Sequence, residues 1–485
     1  MGAPATPRTR AAGRPALSVR LGSYVTLEPH ASGEIVAHFP GNAISLGTFS
    51  ASAANRSGEL RSGVAFSSLK PDDRHFDKEL HLLVRRLAMR GLLEYRLGRS
   101  SRGKDLVVIE PQMPDYWPRL SELQDKDTVV LSRFAYLRRR GGDMVLESPR
   151  AGALFKICDP KLVGFIVSVT TPQTVSSLRK EASFLGVDFL ALLIHCQMAF
   201  KLKGKSNSGL RLAEGDNDLA LWDFHDLLFH ARSTEGHHSN PLGGTYRYAH
   251  VLPPQPAARP QWPGTRFNLK RFLSEQKSPV AALLRQRHST RTFDTRDQIT
   301  IDELSRFLEG TAPVLSEKTS RLESDEDRPA ARPYPSAGAS YELELYLAVD
   351  KCQGLPRGFY HYDANQHGLV SIDVSKTMLD AMLMKAASAM GVTSPPQILI
   401  TIAARFGRVA WKYSSIAYAL ILKDAGVLTQ TLYLMATEMG LGGCAVGITN
   451  IDLFARMTGV DFHVEGPIAQ FALGRELHPR AQLEP

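Results

Sequence analysis

The chain has 485 residues, of which 43% are hydrophobic and 22% are charged. This is the composition of a globular protein long enough for roughly two to four domains. No apolar run reaches the roughly 20 residues that span a bilayer, so we expect no membrane-crossing segment. The formal net charge of +9 would suit nucleic acid, a membrane surface, or an anionic cofactor or partner, and does not decide among them.

The cysteines and histidines do not form a metal-binding pattern. The four cysteines are far apart and contain no Cys-x-x-Cys pair, which argues against both a zinc site and a disulfide framework and favours a reducing, cytoplasmic setting. His225 and His230 are five residues apart and therefore off one helical face, and His237 and His238 fall in a Gly/Ser-rich turn. We predict no metal.

The N-terminal region begins with residues 1–17, which are rich in Ala, Pro and Arg and which we expect to be a disordered basic tail. Apolar residues recur at helical spacing over 80–88, and two strand-like runs, 92–97 and 106–109, flank a basic turn. A helix followed by a hairpin is the ending of a winged helix. We therefore predict a winged-helix-like domain over residues 18–115.

A second winged-helix-like domain is predicted over residues 126–203. Its strand-like runs are 128–131 and 143–147, and helices are expected from Thr174 or Ser176 to Glu181 and over 187–200. The basic residues around 85–104 could face DNA, but we expect a solvated face or a peptide- or protein-docking surface. Residues 204–265 read as a linker with one helix at 219–230, and the proline-rich stretch 253–263 marks the clearest boundary.

The C-terminal domain, residues 266–485, is predicted to be α+β. Helices over 279–285 and 301–308 precede strands over 342–349 and 358–362, and helices dominate afterwards, apart from an apolar, β-branched run at 397–403. The sequence Gly440-Leu-Gly-Gly-Cys-Ala445 matches the dinucleotide fingerprint, but it follows a predicted helix instead of a strand. A Rossmann fold is therefore not expected.

Three short stretches of this domain carry chemistry. Residues 287–293 (RHSTRTF) hold two guanidiniums and a hydroxyl that could bind phosphate, the alternative being a solvated basic turn. Residues 332–340 (RPYPSAGAS) are small enough to let the backbone approach a flat ligand, or they form a plain loop before a strand. Lys412 and Tyr413, at the start of a long helical stretch, could relay protons, or be a surface lysine beside a packed aromatic.

In this order the three stretches resemble the SagB/ThcOx branch of the FMN-dependent nitroreductase superfamily, the azoline dehydrogenases of thiazole/oxazole-modified peptide biosynthesis. The similarity covers about 277–476, continues in 423–430, 439–442 and 472–475, and extends upstream to 132–138 and 222–233. It implies that FMN oxidises a peptidyl thiazoline or oxazoline to the azole. It also implies a homodimer with the flavin between subunits, an azoline-containing precursor peptide as substrate, and a complex with a cyclodehydratase.

The resemblance also implies roles for individual residues. The phosphate and ribityl chain would be held by Arg287, His288, Ser289 and Arg291, and the isoalloxazine would lie along Pro335, Ser336, Ala337 and Gly338. Backbone near Gly447 would address the flavin N5 edge, and Gln430 and Arg475 would add to the cofactor site. Lys412 and Tyr413 would remove the proton from the ring carbon that was the amino-acid Cα. Asp424 departs from the usual Glu of this branch, and Thr429-Gln430-Thr431 replaces a Gln-Asn pair.

The sequence is also compatible with two other functions. One is an NAD(P)H-dependent nitro- or quinone reductase on the same fold, since fold does not fix function. The other is an inactive scaffold that assembles a cyclodehydratase complex. The Lys412-Tyr413 pair argues against the first, and the presence of Arg287, Ser289, Lys412 and Tyr413 together argues against the second.

Overall fold

The computed structural model describes residues 16–71, 73, 76–98, 104–181, 185–202, 209–214, 217–258, 263–270, 278–317 and 330–477. The chain divides into two compact units, Met1–Ala220 with Gly236–Ser239, and Leu221–Glu235 with Asn240–Pro485. The predicted disordered tail lies outside the described residues except for its last two, which begin the first strand. Most of the basic turn between 98 and 104 also lies outside them.

The first unit is built mainly from antiparallel strands. Its elements are β1 (Ala16–Leu21), β2 (Thr26–Pro29), β3 (Glu34–Phe39), β4 (Asn42–Thr48), α1 (Ala51–Ser57), α2 (Glu59–Ser62), β5 (Val64–Ala65), α3 (Lys78–Ala88), β6 (Leu93–Gly98), β7 (Asp105–Pro111), β8 (Thr128–Leu131), β9 (Tyr136–Arg140), β10 (Asp143–Glu147), β11 (Ala153–Ile157), α4 (Lys161–Ser168), β12 (Gln173–Thr174), α5 (Val175–Glu181), α6 (Leu185–His195), β13 (Ala199–Lys201), α7 (Leu210–Ala213) and α8 (Asn217–Leu221). Within the described ranges, one sheet has the order β5-β1-β6-β7-β11-β10-β9.

The helix and hairpin predicted before residue 110 are confirmed. The Asp77 carboxylate caps α3 by accepting hydrogen bonds from the amides of Glu79 and Leu80. Helical spacing places Leu80, Leu83, Val84 and Leu87 on one buried stripe, as the sequence predicts. Strands β6 and β7 then pair as the predicted hairpin.

The prediction of two winged-helix-like domains is not confirmed. Strand β11 of the second predicted domain pairs with β7 of the first, so strands from both share one sheet. One hydrophobic core also draws on both regions, with Leu83 and Phe189 among its fully buried members. The predicted helix over 187–200 is wrong at its end, because α6 stops at His195 and Ala199–Lys201 forms β13, which pairs with β8.

The second unit carries a sheet flanked by helices. Its elements are α9 (Phe224–Ser233), α10 (Pro279–Gln286), α11 (Ile301–Thr311), β14 (Ser316–Glu317), β15 (Ala330–Ala331), β16 (Leu343–Val349), β17 (Gly358–Asp363), β18 (Gly368–Ile372), α12 (Lys376–Met390), β19 (Ile398–Arg405), α13 (Phe406–Ala410), α14 (Ala417–Glu438), β20 (Gly442–Val446), α15 (Ile451–Thr458) and β21 (Glu465–Gly474). In the described ranges its main sheet has the order β18-β17-β16-β19-β21-β20.

The apolar run predicted as a covered strand is confirmed as β19, whose residues are all buried except Arg405. Every pairing in this sheet is antiparallel, including β16 with β19 and β19 with β21. A Rossmann fold needs parallel strands, so the mixed helix and sheet content is α+β, as predicted. Strands β18, β20 and β21 were not predicted from the sequence.

The segment between α8 and α9 contacts the residues just before α14, the long helix of the second unit. The predicted helix over 219–230 is in fact two helices, α8 and α9, which are separated at Trp222 and Asp223. Trp222 is buried and its indole N–H donates to the His463 carbonyl at 2.7 Å. The Asp223 carboxylate accepts a hydrogen bond of 2.9 Å from the Ser415 amide, just before α14 begins. A carboxylate at this place is favourable because the N-terminal end of a helix carries partial positive charge.

Among the described residues, no helix combines the length and apolar character that a membrane crossing requires.

Candidate functional site

The phosphate-candidate stretch leaves the end of α10 and runs beside β20. Ser278 caps the start of α10, and the helix ends at Gln286, so Arg287 begins an extended segment. The Thr290 amide donates to the Gly443 carbonyl at 2.8 Å. A Cβ at Gly442 would come within 2.7 Å of the Thr290 side chain, so glycine allows the close approach of these two segments.

Tyr433 of α14 organises this stretch, although the sequence did not single it out. Its hydroxyl lies 2.8 Å from Ser289 Oγ and accepts a hydrogen bond of 2.8 Å from the Ala445 amide. The Arg287 guanidinium lies over the Tyr433 ring, 5.1 Å from its centroid. One buried aromatic residue thus fixes a cation and a hydroxyl side by side.

The other residues assigned to the cofactor differ in their surroundings. His288 is exposed, and hydrogen bonds to the Gln286 carbonyl and then to the Glu476 carboxylate raise its pKa. Arg291 and Gln430 are exposed, and Gly447 is exposed directly after β20.

Arg475 is already neutralised within its own unit. Its guanidinium contacts Glu303 at 2.6 Å and Asp297 at 3.3 Å. Its phosphate-binding role stays a prediction that these contacts do not favour.

The loop at Pro335–Gly338 is tied to α14 through Asp424. The Asp424 Oδ2 atom accepts a hydrogen bond of 2.8 Å from the Ala337 amide and lies 2.9 Å from Ser336 Oγ. Ser336 Oγ also accepts from the Tyr341 amide at 3.0 Å and lies 3.1 Å from Glu342 Oε2. These polar contacts connect the loop both to α14, through Asp424, and to the residues just before β16, through Tyr341 and Glu342.

Glu342 is a buried carboxyl that the sequence analysis did not identify. It is 0% exposed, and burial raises its pKa to about 7, opposed by its own backbone amide and reinforced by the negative charge of Asp424. A glutamate at the start of a strand is normally solvated, so nothing in the sequence distinguishes it.

Lys412 and Tyr413 meet the loop at Gly338. They follow α13, where their amides both donate to the Val409 carbonyl. The Lys412 ammonium donates to the Gly338 carbonyl at 3.2 Å. A Cβ on Gly338 would lie 2.3 Å from the Tyr413 hydroxyl and 2.9 Å from Lys412 Nζ, and φ there is +56°. Glycine therefore leaves room for two proton-carrying groups to converge at this point.

The two clusters contact α14 at Asp424 and Tyr433. These residues are nine apart in sequence, which places them about 13.5 Å apart along the helix axis. Nine residues are also about two and a half turns, so the two side chains leave opposite faces of the helix.

The residues present suit an anionic, flat cofactor. Arg287, Ser289 and Arg291 offer charge-assisted donors for a phosphate. The absence of a side chain on Gly338 lets the Lys412-Tyr413 pair approach the loop backbone closely, since a Cβ there would lie 2.3 Å from the Tyr413 hydroxyl. The described residues contain no group of three or more metal-ligating side chains placed to hold an ion.

Two protein families match successive parts of the chain. Residues 129–239 match the family described as cyanobactin oxidase ThcOx, and residues 284–475 match the nitroreductase family. A putative nitroreductase of Methanocaldococcus jannaschii is 30% identical over 165 residues, which are 34% of this chain and 76% of that protein. The trifolitoxin-processing protein TfxB of Rhizobium leguminosarum bv. trifolii is 26% identical over 145 residues, which are 29% of this chain and 39% of that protein.

Solved structures resemble the chain more distantly. The Escherichia coli microcin synthetase McbBCD complex with truncated pro-MccB17 bound contains a chain with 17% identity and a TM-score of 0.40, and the match covers 56% of this chain and 100% of that chain. A putative nitroreductase from Ralstonia eutropha has 20% identity and a TM-score of 0.33, covering 44% and 88%.

The resemblance inferred from the sequence motifs is confirmed by the family matches. The match to the Methanocaldococcus protein spans most of that relative, and the oxidase-type segment precedes the nitroreductase segment in the chain. The chain belongs to the nitroreductase family, whose members use flavin, and within that family to its SagB/ThcOx-type branch.

Proposed function

We propose that this protein oxidises thiazolines or oxazolines in a precursor peptide to the aromatic azoles, with FMN as the electron acceptor. The observation that carries this proposal is the convergence of Lys412 Nζ and Tyr413 Oη on Gly338. Proton-carrying side chains in this position are needed for removal of a carbon-bound proton, whereas reduction of a nitro group needs no such base.

Aromatisation removes two hydrogens and two electrons from the ring. The carbon that was the amino-acid Cα loses a proton, the adjacent methylene carbon loses a hydride, and a carbon–carbon double bond forms between them. FMN, when bound, supplies the acceptor for the hydride. An unprotonated Lys412 amine or a Tyr413 phenolate would receive the Cα proton, and the hydrogen bond from Lys412 Nζ to the Gly338 carbonyl holds the Lys412 side chain beside Tyr413.

The cofactor is expected to be held by side chains from both clusters. Arg287 and Ser289, which both contact Tyr433, would bind the phosphate. His288 and Arg291, which are adjacent to them in sequence, would hold the phosphate and ribityl chain with them. The loop from Pro335 to Gly338 would hold the ring system, with Gly447 and Gln430 contributing to the same site. The Lys412-Tyr413 pair would then act on the substrate.

We infer a homodimer from the positions of these two clusters. They contact opposite faces of α14, so a flavin that touches both sets of residues would take one set from each of two subunits. In the first four turns of α14, the exposed positions recur on one stripe: Ala419, Lys423, Gly426, Val427 and Gln430. Trp411 and Ile416, which flank the Lys412-Tyr413 pair, are exposed by 73% and 51%. A second copy would cover these apolar surfaces.

The peptide substrate and a cyclodehydratase are the expected partners. The relative TfxB is named for the processing of trifolitoxin, which favours a role in peptide modification for this chain. We expect the first unit to dock the precursor or a partner protein rather than DNA.

The test compares Tyr413→Phe and Lys412→Ala with the unchanged enzyme on an azoline-containing peptide. Loss of two hydrogens from the peptide is followed by mass spectrometry, and bleaching of the flavin is followed without oxygen. Each variant should keep its flavin and fold while azole formation falls by about 100-fold, the scale of a lost general base.

Tyr246→Phe and Lys376→Ala serve as matched controls, because both side chains are exposed and lie outside the site. Near-normal azole formation by both site variants would contradict the proposal. It would favour the nitro- or quinone-reductase function, particularly if NADH or NADPH bleached the flavin quickly.

A further inference from the structure

The hydroxyl of Ser336 has more hydrogen-bonding neighbours than two ionised carboxylates would permit. Its oxygen is close to the Tyr341 amide, to Asp424 Oδ2 and to Glu342 Oε2, at 3.0, 2.9 and 3.1 Å. A hydroxyl has one hydrogen to donate and two lone pairs to accept with. The Tyr341 amide occupies one lone pair, and the hydrogen can serve only one carboxyl group. The other carboxyl group can hydrogen-bond to the remaining lone pair of the Ser336 oxygen only if it carries a proton of its own.

Glu342 is the group that fits the protonated role. Asp424 Oδ2 also accepts from the Ala337 amide, so the same oxygen is the acceptor in two contacts, as suits a carboxylate. Glu342 is fully buried, and its Oε1 atom has no hydrogen-bond partner among the described residues. A buried carboxylate with an unpartnered oxygen is costly, whereas a buried carboxylic acid that donates to a hydroxyl is not.

Other charged and titratable groups surround the pair on the neighbouring elements. Lys412 donates to Gly338 on the loop, and Arg408 of α13 donates to the Ser340 carbonyl at 2.9 Å. Tyr334 interacts electrostatically with Glu342, and also with Arg332, Tyr341 and Glu344. Burial places the pKa of Glu342 at about 7, in agreement with the hydrogen-bond geometry.

We propose that Glu342 and Asp424 share a single proton through Ser336, and that this proton holds the 335–338 loop and the Lys412 contact in their working arrangement. The inference rests on the proposed function for the role of the loop beside the flavin. Glu342 is a positioning residue, since it acts on the reaction through Ser336 and Gly338. When the proton is lost, two adjacent buried carboxylates repel each other and one contact to Ser336 has no donor left.

The first test measures the proton directly in the full-length protein. In the infrared spectrum, a carboxylic-acid band should disappear as the pH rises through about 7. Burial also raises the pKa of Glu465, so the band is assigned by its loss in Glu342→Gln. Glu344→Gln, on the same strand, is the matched control and should keep the band. Retention of the band in Glu342→Gln would overturn the proposal.

The second test uses stability against pH. Because burial raises the pKa of Glu342 from 4.5 to about 7 in the folded state, the stabilisation from its proton is fully present below about pH 4.5 and is lost as the pH rises from about 4.5 through about 7. The glutamine amide donates to Ser336 at every pH. The Tm of Glu342→Gln relative to the unchanged protein should therefore rise with pH over this interval, and a constant difference would contradict a shared proton.

The third test uses the pH profile of azole formation. The unchanged enzyme should lose activity above about pH 7 as Glu342 ionises, and Glu342→Gln should lack this decline while retaining activity at lower pH. An unchanged alkaline decline in Glu342→Gln would remove Glu342 from the control of the loop. If the unchanged enzyme forms no azole at all, the proposed function fails, whereas the infrared and stability tests still decide the proton-sharing pair.

Discussion

Arg287 is the residue whose replacement should most directly reveal the cofactor site. Its guanidinium lies 5.1 Å from the centroid of the Tyr433 ring, so it is held in place before any ligand arrives. A charge-assisted contact to phosphate contributes roughly 1.5 to 3 kcal/mol, so Arg287→Ala should weaken FMN binding by about 10- to 150-fold. The measurement is the quenching of flavin fluorescence on titration of the apoprotein.

The matched control is Arg296→Ala, which removes an exposed arginine from the loop that follows the same stretch. This variant should bind FMN as tightly as the unchanged protein. Full flavin retention by Arg287→Ala would remove Arg287 from the phosphate site.

Individual site residues differ in how far the sequence could predict them. The stretches at 287–293 and 335–338 carry recognisable motifs, so family resemblance identifies them. Tyr433 and Glu342 become important only through contacts made in the fold, such as Ser289 with Tyr433, which are 144 residues apart. A tyrosine inside a helix and a glutamate before a strand have no local feature that indicates these contacts. Arg475 is the opposite case. Its motif assigns it to the cofactor site, but the motif could not reveal that the fold pairs its guanidinium with two carboxylates.

Helix α14 should be the element through which two copies associate. Gly426 lies on its exposed stripe, and a Cβ there would meet nothing within 4 Å of the same chain. A charged side chain at this position is therefore tolerated in one chain but would be buried in a dimer. We expect Gly426→Glu to yield a folded monomer that has lost most of its flavin, as measured by light scattering and absorbance.

Gly164→Glu is the matched control, because Gly164 is also an exposed helical glycine with nothing within 4 Å of its Cβ position. It should leave both the oligomeric state and the flavin content unchanged. A dimeric, fully flavinated Gly426→Glu protein would show that this face of α14 is not an interface.

Elements with a strong local pattern were predictable and those without one were not. The buried stripe of α3 and the β-branched run of β19 follow the periods of a helix and a covered strand. Strand β20 has the sequence Gly-Gly-Cys-Ala-Val, whose small residues have low strand propensity. It exists because it pairs with β21 and packs close to Thr290. The break between α8 and α9 likewise depends on distant partners of Trp222 and Asp223.

At the scale of the whole molecule, the shared sheet of the first unit shows why module boundaries were hard to predict. Periodicity identifies each strand but does not reveal its partner, and β7 pairs with β11 across both predicted domains. In the second unit, the sequence likewise does not reveal which residues would contact a second copy of the chain. The residues proposed to hold the flavin contact opposite faces of α14, so we predict that a single chain does not complete the site.

A complementation experiment tests whether two chains share one flavin site. Arg287→Ala damages the phosphate contact, and Gly338→Val damages the loop, since a Cβ there would come within 2.3 Å of the Tyr413 hydroxyl and φ is +56°. Each variant alone should have little activity.

If one cluster comes from each subunit, a mixed dimer contains one site with both changes and one intact site. Under random pairing, coexpression of the two variants should then restore roughly a quarter of all sites, and about half of the sites in the isolated mixed dimers. The measurement is flavin content together with azole formation after isolation by two different affinity tags. Because two changes within a self-contained site cannot complement each other, a mixed dimer with no recovered flavin or activity would show that each chain builds its site alone.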